Sequence, residues 1–96
     1  MTWGDAMPTR ATEVKAGAYF KKGPQLRKVI KRTRDKRGRV RVHWVGKSVR
    51  IKNSRFGYGH TIANPPLLST FISQCDRLSG AEVAHLRKAG IILRGE

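Results

Sequence analysis

Hydrophobic and polar positions alternate most strictly between Arg39 and Val45. Val40, Val42 and Trp44 fall on one side of an extended chain, and Arg39, Arg41 and His43 on the other. Gly46-Lys47 follows, with glycine at the first position of a two-residue type II′ turn. The turn predicts a hairpin in which Trp44 faces Val49, His43 faces Arg50, Val42 faces Ile51 and Arg41 faces Lys52. Apolar side chains then meet on one face and basic side chains on the other. Two strands are predicted upstream. Ala18-Tyr19-Phe20 is closed by Lys22-Gly23-Pro24. Gln25–Arg34 carries Leu26, Val29 and Ile30, which do not alternate and point to a bulge.

After a loop over Asn53–Asn64 the spacing becomes helical. Asn64 is the expected N-cap, with Pro65 at the first helical position. Leu67, Phe71 and Cys75 lie four apart, as do Leu68 and Ile72, and form one apolar face. Ser79 and Glu82 fit a capping box for a second helix. Val83, Leu86 and Ala89 form its stripe, and Gly90 suits its end. Ile91–Leu93 reads as a last short strand or an apolar tail on the core.

The order of elements gives an α+β fold: a small, strongly bent antiparallel sheet, with an SH3-like barrel as the favoured form, followed by two short helices. Residues 1–13 read as a flexible arm and 14–96 as a single basic domain, with strands over about 18–52 and helices over about 65–90. The basic strands resemble ribosomal proteins with SH3-like barrels. Leu78–Gly90 resembles the opening of the helix-turn-helix domain of antitoxin-type repressors, through its capping box and amphipathic positions. No DNA-reading residue is carried over from either likeness.

Charge changes this picture from a fold to a function class. The 96-residue chain has 21 Lys and Arg against 6 Asp and Glu, a net +15. Residues 1–60 hold 17 of those bases and three acids, a net +14, which leaves +1 for residues 61–96. A domain so charged repels itself, and a polyanion relieves the repulsion. The apolar runs are too short for a membrane span, and the first residues carry Asp5 and no apolar signal core. The single Cys75 allows no internal disulfide, which fits a reducing, cytoplasmic setting.

Candidate chemistry follows the charge. The outer hairpin face presents Arg39, Arg41, His43, Arg50 and Lys52, with like charges opposed across the strands. The turn Arg34-Asp35-Lys36-Arg37-Gly38 puts Lys36 and Arg37 at a tip. Arg55-Phe56-Gly57-Tyr58-Gly59-His60 offers aromatics for stacking on bases, or in the case of Phe56 for the core. Few carboxylates lie in the basic half, and the histidines and Cys75 lack ligand-pair spacing, so neither metal nor cofactor is expected. His43 and His60 are the one pair that could act on RNA without a metal.

The function read from this is a non-enzymatic nucleic-acid-binding protein, electrostatic and largely sequence-tolerant, for which DNA and RNA fit alike. The candidate contacts are Arg32, Arg34, Lys36, Arg37, Arg39, Arg41, His43, Lys47, Arg50, Lys52, Arg55 and Tyr58. The alternative is a small basic interaction protein, of the phage or mobile-element regulator or inhibitor type, docking on an acidic protein or nucleoprotein complex.

Overall fold

The computed structural model describes residues 10–57 and 64–96. A one-turn 3-10 helix at Ala11–Glu13 leads into strands β1 (Tyr19–Lys22), β2 (Gln25–Arg34) and β3 (Val40–Ser48). Helix α1 (Leu68–Gln74), strand β4 (Asp76–Arg77) and helix α2 (Gly80–Lys88) complete the order. The fold is α+β. Its one four-stranded sheet is antiparallel, in the order β3-β2-β1-β4. Among the described residues β3 and β4 do not pair, so the sheet is open and the expected barrel closure is not seen.

The two-residue turn with glycine at its first central position lies between β1 and β2. Lys22 pairs with Gln25 across Gly23-Pro24, and Gly23 has φ +57°, a value glycine adopts without strain. The turn expected at Gly46-Lys47 is not formed. Both residues continue β3, which pairs along its whole length with β2: Gly46 with Arg27, Lys47 with Leu26 and Ser48 with Gln25. Trp44 therefore faces Val29, not Val49, and Arg41 faces Thr33, not Lys52. The ten-residue β2 offers a ladder for all of β3, which a local hairpin with residues 48–52 cannot match.

The uneven pattern of β2 now has a cause. Register shifts between Val29 and Lys31, which makes Ile30 the extra residue of a bulge and leaves it exposed. Both faces of the sheet also carry a core. Phe20, Val29, Val42 and Trp44 point to one face, where Val14, Phe71 and Cys75 join them. Phe71 meets Phe20 edge-on, with ring centroids 5.1 Å apart. Tyr19 and Leu26 point to the other face and pack with Leu78, Leu86 and Ile92. Alternation within β1 and β2 thus feeds two cores, with α1 over one face and α2 over the other.

Helix α1 begins later than expected. Leu67, not Asn64, is the residue before its first turn. The Pro66 carbonyl instead accepts from Val42 N–H at 2.9 Å, and Leu67 bridges to Arg41. Pro66 disfavours helical backbone at Pro65, so this stretch runs extended along the free edge of β3. Cys75 ends α1, and β4 follows at once against β1. The capping box of α2 is formed: Ser79 Oγ accepts from Glu82 N–H at 3.1 Å, and Glu82 Oε1 accepts from Ser79 N–H at 3.2 Å. Ser79→Ala removes that cap and is expected to cost about 1 kcal/mol. A thermal melt shifted by several degrees checks it, and an unchanged melt rejects the cap's contribution. Ile91 and Ile92 form an apolar tail on the second core, not a strand.

Candidate nucleic-acid interface

Helix α2 and the C-terminal tail cover only part of their face of the sheet. Past Leu26, that face continues with Lys28, Lys31 and Thr33 on β2 and with Val45, His43 and Arg41 on β3. Beyond the residues that pair with β1, strands β2 and β3 run on as a two-stranded ribbon. Residues 31–43 carry seven Lys and Arg and one acid, Asp35.

Asp35 organises the tip. Its Oδ1 accepts from the backbone N–H of Arg37 and of Arg39, each at 2.9 Å. Its Oδ2 accepts from Nε of Arg39 at 2.9 Å and Nε of Arg41 at 3.2 Å. Desolvation alone would raise the Asp35 carboxyl pKa, but the backbone donors of Arg39 and Arg37 and the Arg39 guanidinium outweigh it and hold the carboxyl below its ordinary value. Gly38 completes the turn at φ +77°, with its N–H on the Asp35 carbonyl at 3.0 Å. The single acid of the ribbon is spent internally. It fixes two guanidinium groups and leaves the outer rim cationic.

An open concavity of about 670 Å³ runs from this tip down the uncovered face. Thr33, Asp35, Lys36, Arg37, Arg39, Arg41 and His43 line it, with Asn64 and Pro65 as its far wall. Arg41 spans that wall by donating to the Pro65 carbonyl at 3.0 Å. His43 Nε2 and Thr33 Oγ1 share a hydrogen bond of 2.8 Å. Desolvation lowers the His43 pKa below 6.5, and the Lys31 charge opposite it acts the same way. The imidazole is therefore neutral at pH 7.

Five of the expected contacts, Lys36, Arg37, Arg39, Arg41 and His43, come together here. The others separate. Arg32 is on the opposite face and donates to the carbonyls of Ala11 and Val14. Arg34 donates to the Gly38 carbonyl at 2.9 Å. Lys47 is 2% exposed, and its ammonium is given to the carbonyls of Ser54 and Ile91. It ties the loop after β3 and the C-terminal tail to the sheet instead of facing solvent. Arg50, Lys52 and Arg55 are exposed, but they follow the end of β3 that pairs with the start of β2. That end lies roughly 25 Å along the strand from the tip. The opposed pairs expected between Arg41 and Lys52 and between His43 and Arg50 do not exist. The basic residues that do face each other across the ribbon are Lys31 and the neutral His43. Phe56 is half-buried against Tyr19, with ring centroids 5.8 Å apart, which favours its core role. Tyr58 and His60 lie outside the described residues.

Lys28, Lys31, Thr33 and Asn64 were not among the expected contacts. For the β2 residues the missing signal was the bulge: without its position the outward face of that strand is undefined. Asn64, the expected helix cap, instead lies beside the ribbon.

Compared with known protein families, with curated proteins and with solved structures, the chain gives no match.

Proposed function

We propose that this protein binds nucleic acid through the β2–β3 ribbon, as a non-enzymatic module that grips the phosphate backbone with little regard for sequence. One observation carries the reading. The ribbon lines up Lys36, Arg37, Arg39, Arg41 and His43 along one open concavity, with Lys31 beside His43 on the same face, and the sole acid among them, Asp35, is held by its own neighbours. Phosphates spaced along a strand relieve the mutual repulsion of such a row.

The test is binding of random-sequence duplex and single-stranded oligonucleotides at low salt, followed as salt is raised. Saturable binding that falls linearly in log affinity against log salt is expected. Absence of binding at low salt rejects the reading and leaves an acidic protein partner in its place. His43 adds a pH signature. Its folded pKa is depressed, so the stability it contributes is present above 6.5 and is lost as pH falls from there through the folded value. Bound phosphate favours the protonated ring, so affinity is expected to rise over the same window. The two trends have opposite signs. Both are expected to vanish in His43→Gln, and a pH-independent affinity in the parent rejects a role for His43.

A further inference from the structure

Among the described residues, Arg27 is a buried cation without an anion beside it. It lies in the middle of β2 and is 7% exposed. Its guanidinium carbon sits 4.0 Å from the centre of the Trp44 ring. Nε donates to Gln25 Oε1 at 2.8 Å, and one terminal nitrogen donates to Cys75 Sγ at 3.2 Å. These acceptors are neutral. Burial pushes the Cys75 thiol up, and the nearby Arg27 charge only partly opposes this, so no thiolate stands in for a counter-ion at pH 7. Among the described residues Arg27 makes no ion pair. A guanidinium this deep in a protein normally has a carboxylate or another anion beside it, because the cost of removing it from water is otherwise uncompensated.

The space in front of Arg27 has the complementary character. A cleft of about 280 Å³ is lined by Lys22, Arg27, Trp44, Asn64, Pro66 and Gln74. Among the described residues it contains two cationic side chains, two primary amides and no acid. It opens on the face of the sheet opposite to Lys31 and His43, because Arg27 and Trp44 share the orientation of Val29 and Phe20. Its volume falls below the roughly 300 Å³ at which pockets begin to take drug-sized molecules, so it suits a small polar group.

We propose that this cleft is an oxyanion niche that takes a phosphate group. Arg27 is the fixed anchor, its plane set by Trp44 and Gln25. Lys22 is the exposed second cation at the rim, and the amides of Gln74 and Asn64 supply neutral donors. The niche opens on the other face from the ribbon concavity, shares only Asn64 with it, and does not depend on the ribbon's binding nucleic acid. A free phosphate ion and a phosphate carried on a nucleic acid present the same chemistry here.

Trp44 reports on the site directly. In a Trp3→Phe background it is the only tryptophan. Inorganic phosphate, titrated at constant ionic strength against chloride, is expected to change Trp44 emission saturably. It is also expected to raise the melting temperature by about 4 °C or more near saturation. Gln74→Glu supplies the missing carboxylate at an exposed position and leaves the core alone. That variant is expected to melt higher than the parent without phosphate and to lose the phosphate response at least tenfold. Lys31→Gln/Lys36→Gln/Arg37→Gln alters only the ribbon and is expected to retain it. A dithymidine phosphodiester is the second ligand: a response to it as well as to the free ion places a nucleic-acid phosphate within reach, and a response to the free ion alone identifies a free anion. Two results overturn the niche: no saturable response to either ligand, or a response that Gln74→Glu leaves unchanged.

Discussion

Replacing Lys31, Lys36 and Arg37 together with Gln is expected to weaken oligonucleotide binding roughly a hundredfold at about 0.1 M salt. All three side chains are exposed and make no hydrogen bond or ion pair among the described residues. The fold therefore stays intact, and the melt and circular dichroism of the variant should match the parent's. If each residue neutralises one phosphate, the slope of log affinity against log salt becomes shallower by about 2–3, at about 0.7–0.9 per contact. The loss is expected to be uniform across sequences, since backbone phosphates carry no base information. Arg39 and Arg41 are poor choices for this experiment. They hold Asp35 and, through Arg41, Pro65, so their removal loosens the tip as well as discharging it. Arg50→Gln/Lys52→Gln/Arg55→Gln serves as the control of equal charge count beyond the far end of β3, with a smaller effect. An unchanged slope in the triple variant removes the ribbon as the interface, even if the protein still binds nucleic acid elsewhere.

Trp44→Ala is expected to destabilise the fold by about 3–5 kcal/mol, read as a fall in the urea midpoint. Trp44 is 3% exposed and packs with Val29, Val42, Phe71 and Cys75. Its loss opens a cavity between sheet and α1 and removes the ring under Arg27, so a buried cation loses a neighbour as well. Against a typical domain stability of about 5–15 kcal/mol, this leaves a marginal protein. A change below about 1 kcal/mol contradicts the core assignment. Double-mutant cycles test the strand register too. Trp44 should couple to its cross-strand neighbour Val29 by about 0.5 kcal/mol or more, and Val49, which packs on the other core, should show none.

Local rules determined much of this protein. Alternation over Val40, Val42 and Trp44 identifies a strand and its buried face without reference to any partner. Ser79 and Glu82 close their box within four consecutive residues, so the start of α2 is legible as written. Phe71 and Cys75 turn their common helical face to the core as their spacing requires. Charge needs no fold to be counted, and Asp35 with Gly38 builds the basic tip from its own sequence.

Tertiary structure decided the rest, beginning with the partner of β3. A period of two is satisfied equally by any antiparallel partner in either of two arrangements, so the pattern of β3 fits a local hairpin as well as it fits β2. What separates them is non-local. Strand β2 is long enough to pair with all of β3, and its bulge at Ile30 lets Val29 and Arg32 both match that strand's inward face. Once that pairing forms, Lys47 is drawn inside against two carbonyls, and Arg50 and Lys52 are carried to the end remote from the tip. Arg27 is drawn inside by the same event, because it follows Leu26 on a strand that has a core on each side. A sequence states that such a residue is charged. Only the packing of α1 against Trp44 determines that its charge is buried, and that no acid among the described residues lines the cleft before it.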